Sequence, residues 1–162
     1  MKPQLRSLLG IEQLTTAQIE SILALARRMD PSRPSQLLRG KRVALLFYES
    51  STRTRTSFEF AAKTLGAATT LVTPVSSSIE KGESLIDTGW TVANLGADAI
   101  VMRHANSGAA YLLARYVRVP IVNAGDGMHQ HPSQALLDAL TITNHKKRLN
   151  GCLLYTSPSP RD

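Results

Sequence analysis

Cysteine is nearly missing from the 162 residues: Cys152 stands alone. That excludes an intrachain disulfide framework and a multi-cysteine zinc site, and it suits a reducing compartment. Long apolar runs are missing too. None approaches the roughly 20 residues of a membrane-spanning helix, and Met1-Lys2-Pro3-Gln4-Leu5-Arg6 has no apolar stretch like that of a secretory leader. Neither membrane spanning nor secretion is expected. Aromatic side chains make up only 5% of the chain, too few to interleave with basic residues as single-stranded nucleic-acid binders require. Acidic residues are also in short supply, 12 against 19 Lys and Arg, for a net charge of +7 and a sequence pI of about 10.0. Such a balance points to an anionic partner or substrate without saying which. The length fits one ordinary domain, and no internal repeat is present.

What the chain does contain is an alternation of two hydrophobic periods. Thr15 and Gln18 have capping-box spacing, and behind them Ile19, Ile22, Leu23, Ala26 and Met29 recur at helical period. The Asp30 to Ser35 stretch breaks this helix. Val43 to Tyr48 is a continuous apolar run of strand length, as a strand buried on both faces needs. A helix carrying Phe58, Ala61, Ala62 and Leu65 follows, with Gly66 as its stop. Further along, the pattern predicts a strand over Thr69–Thr73, a helix over Glu83–Leu95, a strand over Ala97–Met102, a helix over Ala109–Tyr116 and a strand over Pro120–Asn123. Ala124 to Gly127 reads as loop, and Pro132 opens a last helix bearing Leu136, Leu137, Leu140 and Ile142. Strands and helices in this order predict an α/β domain with a mostly parallel sheet flanked by helices.

In such a sheet the ligand site lies beyond the carboxyl ends of the strands. Four loops are singled out: Glu49 to Arg55, Ser76 to Glu83, Arg103 to Ser107 and Ala124 to Gln134. Ser50-Ser51-Thr52-Arg53-Thr54-Arg55 opens a helix with hydroxyls and two guanidinium groups, a composition suited to a compact, multiply charged anion. The competing explanation is a hydroxyl N-cap followed by solvated arginines. The glycine pattern of a P-loop is missing, which disfavours a nucleoside triphosphate. Lys81 is a mobile clamp or a solvated loop charge, and Arg103 a site residue or plain surface. His129 and His131 bring zinc to mind, but their spacing matches no usual metal motif, so no metal is expected. His131 at a helix start suits a neutral imidazole that donates to a carbonyl oxygen, or else a solvated cap. Gln134, one turn later, can both donate and accept.

Four motifs in order, Phe47-Tyr48-Glu49-Ser50-Ser51-Thr52-Arg53-Thr54-Arg55, Lys81-Gly82-Glu83-Ser84-Leu85, Val101-Met102-Arg103-His104, and Asn123 to Gly127 with His131 to Asp138, carry a family likeness. The chain resembles the aspartate/ornithine carbamoyltransferases, and within them the aspartate carbamoyltransferase catalytic chains. The Asn-Ala-Gly-Asp-Gly run and the Lys-Gly-Glu-Ser loop look more like the aspartate enzyme than the ornithine one. The likeness covers residues 1–151, as the carbamoyl-phosphate domain and first of two domains. It implies that Ser51, Thr52, Arg53, Thr54 and Arg103 hold the phosphate. Thr54, Arg103 and His131 would polarise the carbamoyl oxygen, and Gln134 would contact the carbamoyl amide. Ser77 and Lys81 match positions that such chains lend to a neighbouring subunit. The resemblance further implies a cytoplasmic homotrimer with shared active sites, carbamoyl phosphate and L-aspartate as substrates, pyrimidine biosynthesis as the setting, and no cofactor.

The end of the chain departs from that pattern. The expectation is that the family's aspartate-binding domain is absent and that residues 152–162 are foreign, since they read as a translated sequencing-library adapter. A chain so built would hold half a site and not turn over by itself. Two rivals remain: an ornithine carbamoyltransferase fragment, and a non-catalytic module that binds anions or nucleic acid.

Overall fold

The computed structural model describes residues 7–30, 32–73, 83–146 and 148–149. Among the described residues four strands, β1 (Arg42–Phe47), β2 (Ala68–Val72), β3 (Ala99–His104) and β4 (Ile121–Asp126), alternate with five α-helices. The helices are α1 (Thr16–Arg28), α2 (Thr52–Thr64), α3 (Leu85–Asn94), α4 (Ala109–Tyr116) and α5 (Pro132–Lys146). The strands form a single sheet in the order β2-β1-β3-β4, and every pairing is parallel. The expected α/β architecture is therefore what the chain adopts.

Burial explains the strand sequences. Ala44, Leu45 and Leu46 in central β1 are wholly buried, because the sheet is covered on both faces. Alternate side chains feed separate cores: Ala44 and Leu46 join Ile100, Met102, Ala110 and Leu113 beneath α3 and α4. Val43, Leu45 and Phe47 join Ala62, Val101 and Ala124 beneath α2. Since side chains alternate with period two, Arg103 falls on the α2 face of β3, opposite its neighbour Met102.

Local signals set most boundaries. The capping box is formed, with the Thr15 hydroxyl accepting from the Gln18 N–H at 3.3 Å and the Gln18 carbonyl oxygen accepting from the Thr15 N–H at 2.8 Å. The hydrophobic stripe of α1 ends earlier than its spacing suggests: Met29 is 44% exposed, because it caps the helix in extended conformation. Arg27 ties α1 to α5 by donating to Asn144 Oδ1 and Thr143 Oγ1 at 3.3 and 2.8 Å. Helix α3 starts at Leu85 rather than Glu83, because the Ser84 hydroxyl accepts the Asp87 N–H at 3.1 Å and so acts as its N-cap.

The largest difference from the sequence pattern lies in β4. Ala124, Gly125 and Asp126, expected as loop, continue the strand to its end. Met102 pairs with Asn123 but His104 with Asp126, so β4 carries one extra residue there, a β-bulge. Gly125 supplies the bend with a φ of +115°. Asn123, Ala124 and Asp126 are buried to 1% or less. Polar, glycine-bearing composition suggested a loop; pairing with β3 and side-chain hydrogen bonds hold the segment in the sheet instead.

Candidate active site at the β1/β3 crevice

Helix α2 carries the chain from β1 outward to β2, and α4 carries it from β3 outward to β4, so the two paths diverge between β1 and β3. This is the topological switch point, where open parallel sheets bind ligands. Glu49, two residues after β1, and Arg103, near the end of β3, meet here. The Arg103 guanidinium, 9% exposed, donates through Nη1 to the Ala124 carbonyl and through Nη2 to Glu49 Oε1, each at 3.2 Å. Its Nε is buried with no hydrogen-bond partner among the described residues.

A cleft of about 490 Å³ opens beside this pair, lined by Glu49, Ser51, Thr52, Arg55 and Thr73 among others. Ser51 is the N-cap of α2, its hydroxyl accepting the Thr54 N–H at 3.4 Å. Thr52 and Arg53 are exposed on the first turn, while Thr54 and Arg55 are half-buried. The first turn thus presents backbone N–H groups at the positive end of the helix dipole, together with hydroxyls and guanidinium groups. That chemistry favours an anion with several oxygens.

His131 comes from the opposite side. It is half-buried immediately before Pro132 at the start of α5, and its Nδ1 lies 3.3 Å from the Ser133 hydroxyl. Gly125 separates His131 from Arg103: a β-carbon there would lie 2.6 Å from Arg103 Nη1 and 3.3 Å from His131 Cδ2. Only a glycine lets both side chains close over the bulge. Gln134 is exposed, and its amide donates to Asp138 at 2.9 Å, directing it along α5. The structure therefore brings Arg103 and His131 together across Gly125, and joins Arg103 through Glu49 to the cleft that Ser51 and Thr52 line. Ser77 and Lys81 lie outside the described residues.

Arg55, one of the two guanidinium groups expected in the turn, lines the cleft. Three residues with no role assigned from sequence lie at the crevice: Glu49 pairs with Arg103, Gly125 makes the close approach, and Asp126 is buried at the bulge. Asp126 is 1% exposed. Burial pushes its carboxyl upward, but hydrogen bonds from the Asn123 amide, the His129 ring and the Gly108 and Gln130 N–H groups outweigh this, leaving it below the usual value of 3.8. The sign follows: stability from this carboxylate is present above its unfolded value and is lost as pH falls through the lower folded one. Nearby, burial holds the His104 ring below the usual imidazole value, against the pull of Asp126 and Glu49. Its Nδ1 accepts the Asn106 N–H at 2.9 Å.

The Glu49–Arg103 pair competes with any anion for the guanidinium. Because the Glu49 side chain is 40% exposed, the pair is worth no more than about 1 kcal/mol. Glu49→Gln is accordingly expected to tighten inorganic phosphate binding by up to about fivefold, read by calorimetric titration; weaker binding would show that Glu49 holds Arg103 in its productive position.

Fold and site together define a parallel α/β domain with a crevice at its switch point whose lining suits an anion. The chain belongs to the aspartate/ornithine carbamoyltransferase family, whose carbamoyl-P binding domain matches residues 6–144. Among curated relatives, the aspartate carbamoyltransferase catalytic subunit of Koribacter versatilis is 66% identical over 146 residues, covering 90% of this chain and 48% of its own length. The catalytic subunit of Solibacter usitatus is 54% identical over 149 residues, covering 89% and 49%. Among solved structures, the catalytic subunit of M. jannaschii aspartate transcarbamoylase superposes with a TM-score of 0.81 at 47% identity, covering 88% of this chain and 48% of that one. Aspartate transcarbamoylase from Trypanosoma cruzi, in complex with carbamoyl aspartate and phosphate, gives 0.82 at 36% identity, covering 91% and 49%. The chain spans about half the length of the curated relatives it matches.

Proposed function

We propose that this chain supplies the carbamoyl-phosphate half of an aspartate carbamoyltransferase active site. The observation that carries this reading is the convergence of buried Arg103 and His131 across Gly125, beside the hydroxyl-rich start of α2. The aspartate enzyme is favoured by the 66% identity to a subunit of that name.

In the proposed reaction the neutral α-amino group of L-aspartate attacks the carbonyl carbon of carbamoyl phosphate. A C–N bond forms, the carbonyl oxygen gains negative charge, and collapse of the tetrahedral intermediate breaks the C–O bond to phosphate. The amine proton passes to the departing phosphate, and N-carbamoyl-L-aspartate and phosphate are released. Ser51, Thr52, Arg53 and Thr54 hold the phosphate, with Arg103 spanning phosphate and carbonyl oxygen. Thr54 and His131 donate to the same oxygen, and Gln134 contacts the carbamoyl amide. Catalysis on this reading is positioning plus electrostatic stabilisation of the growing oxyanion. On this reading Ser77 and Lys81 act in the site of a neighbouring subunit, and the working enzyme is a homotrimer that operates in the cytoplasm.

The test is to titrate the 162-residue chain with carbamoyl phosphate and to assay it for carbamoyl-aspartate. Saturable carbamoyl phosphate binding without turnover is expected. Ready turnover by this chain alone would overturn the half-site reading. Absence of carbamoyl phosphate binding, together with steeply salt-dependent RNA or DNA binding, would favour a nucleic-acid module.

A further inference from the structure

We propose that Asp126 is a positioning residue for the anion site: its buried carboxylate clamps the β4 bulge whose other side presents Ala124 and His131 to Arg103. The proposal rests on the reading above and adds to it a residue that would touch no substrate.

The geometry is that of a hub. Oδ1 accepts the Asn123 amide at 3.0 Å and the Gln130 N–H at 2.9 Å. Oδ2 accepts the Gly108 N–H at 2.7 Å and lies 3.1 Å from His129 Nδ1. Three pieces of the carboxyl-edge surface, the start of α4, the end of β4 and the β4–α5 turn, are thereby joined through one side chain. Its backbone closes the same turn, with the Asp126 N–H donating to the Gln130 carbonyl at 3.1 Å and the His129 N–H donating to the Asp126 carbonyl at 3.2 Å. Asn123 extends the clamp into the bulge: its Oδ1 accepts the Gly125 N–H at 2.9 Å, and its amide also donates to the Leu9 carbonyl at 2.8 Å.

The consequences appear on the opposite side of the bend. Ala124, between Asn123 and Gly125, supplies the carbonyl that receives Arg103 Nη1 at 3.2 Å. Gly125 packs against Arg103 and His131, and His131 follows Gln130 directly in the chain. A carboxylate is suited to this post because it accepts on both oxygens and donates on neither. An asparagine in its place would turn an NH₂ toward two of the donors. The bulge would then relax, and misplacement on the scale of 1 Å is enough to cost large factors at a charged site.

The experiment compares the 162-residue chain with Asp126→Asn and His129→Gln, titrating each with inorganic phosphate and recording the ¹H–¹⁵N signals of Arg103 Nε and the His131 ring. Asp126→Asn is expected to weaken phosphate binding by about tenfold in protein that is still folded, and to shift both sets of signals. His129→Gln removes one of the four contacts at a partly exposed position, so the fold persists and about a two- to threefold loss with smaller shifts of the same signals is expected. A lower melting temperature with unchanged affinity and unchanged Arg103 and His131 signals would overturn the proposal. Should Asp126→Asn not fold, His129→Gln decides by the same readouts. Should the unsubstituted chain bind no phosphate, the functional reading fails, whereas the ligand-free signals still judge the hub.

Discussion

Arg103→Ala is expected to abolish measurable carbamoyl phosphate binding by a chain that remains folded. The side chain is buried at the crevice, with one Nη on a backbone carbonyl and the other on Glu49. Hydrogen bonds to a charged group contribute about 1.5–3 kcal/mol each, so losing a guanidinium that makes two of them to the anion weakens binding by at least about 100-fold. The Glu49 carboxylate then faces the anion uncompensated. The fold is expected to persist because Arg103 lies near the end of β3, one residue before its last, and its Glu49 partner is partly solvated. Titration calorimetry and circular dichroism read the two effects separately. Arg103→Lys sharpens the experiment: a point charge on a flexible stem cannot hold Ala124, Glu49 and an anion in one plane. Near-normal binding by Arg103→Ala would remove Arg103 from the site.

Gly125→Ala is expected to damage both stability and binding. With φ at +115°, an alanine here carries backbone strain of about 1–3 kcal/mol. Its methyl group would fall 2.6 Å from Arg103 Nη1, well inside van der Waals contact. The guanidinium is the movable partner, so the collision is relieved by lifting Arg103 off the Ala124 carbonyl. Urea denaturation should show the strain, and phosphate affinity should drop by about tenfold or more, as expected when a charged clamp is displaced. Unchanged urea midpoint and affinity would mean that the bulge does not hold Arg103 and His131 together.

Much of this architecture is legible along the chain. The capping box at Thr15 and Gln18, the apolar run of β1, the Ser51 cap of α2 and Pro132 at the start of α5 are all local features, and each sets an element where its spacing says it should. The loops after β1, β3 and β4 are legible as candidate site loops too, because in a parallel sheet ligands bind beyond the carboxyl ends of the strands. Glu49 as the partner of Arg103 is not, since 54 residues separate them and only the pairing of β1 with β3 makes them neighbours. Asp126 is hidden for a related reason. Flanked by two glycines, it looks like part of a polar loop.

Where the scarcity of acidic residues left only an excess of positive charge, the motifs narrowed the expected anion site to the turn at Ser51 to Arg55. That narrowing needs only sequence, because a helix N-terminus, its cap and its first-turn side chains lie within a few residues of one another. Which carbonyl receives Arg103, how closely His131 approaches and what holds the bulge were decided by tertiary structure. Those contacts join residues far apart in the chain, and their geometry depends on one extra residue in the register of β4 that hydrophobic periodicity does not record.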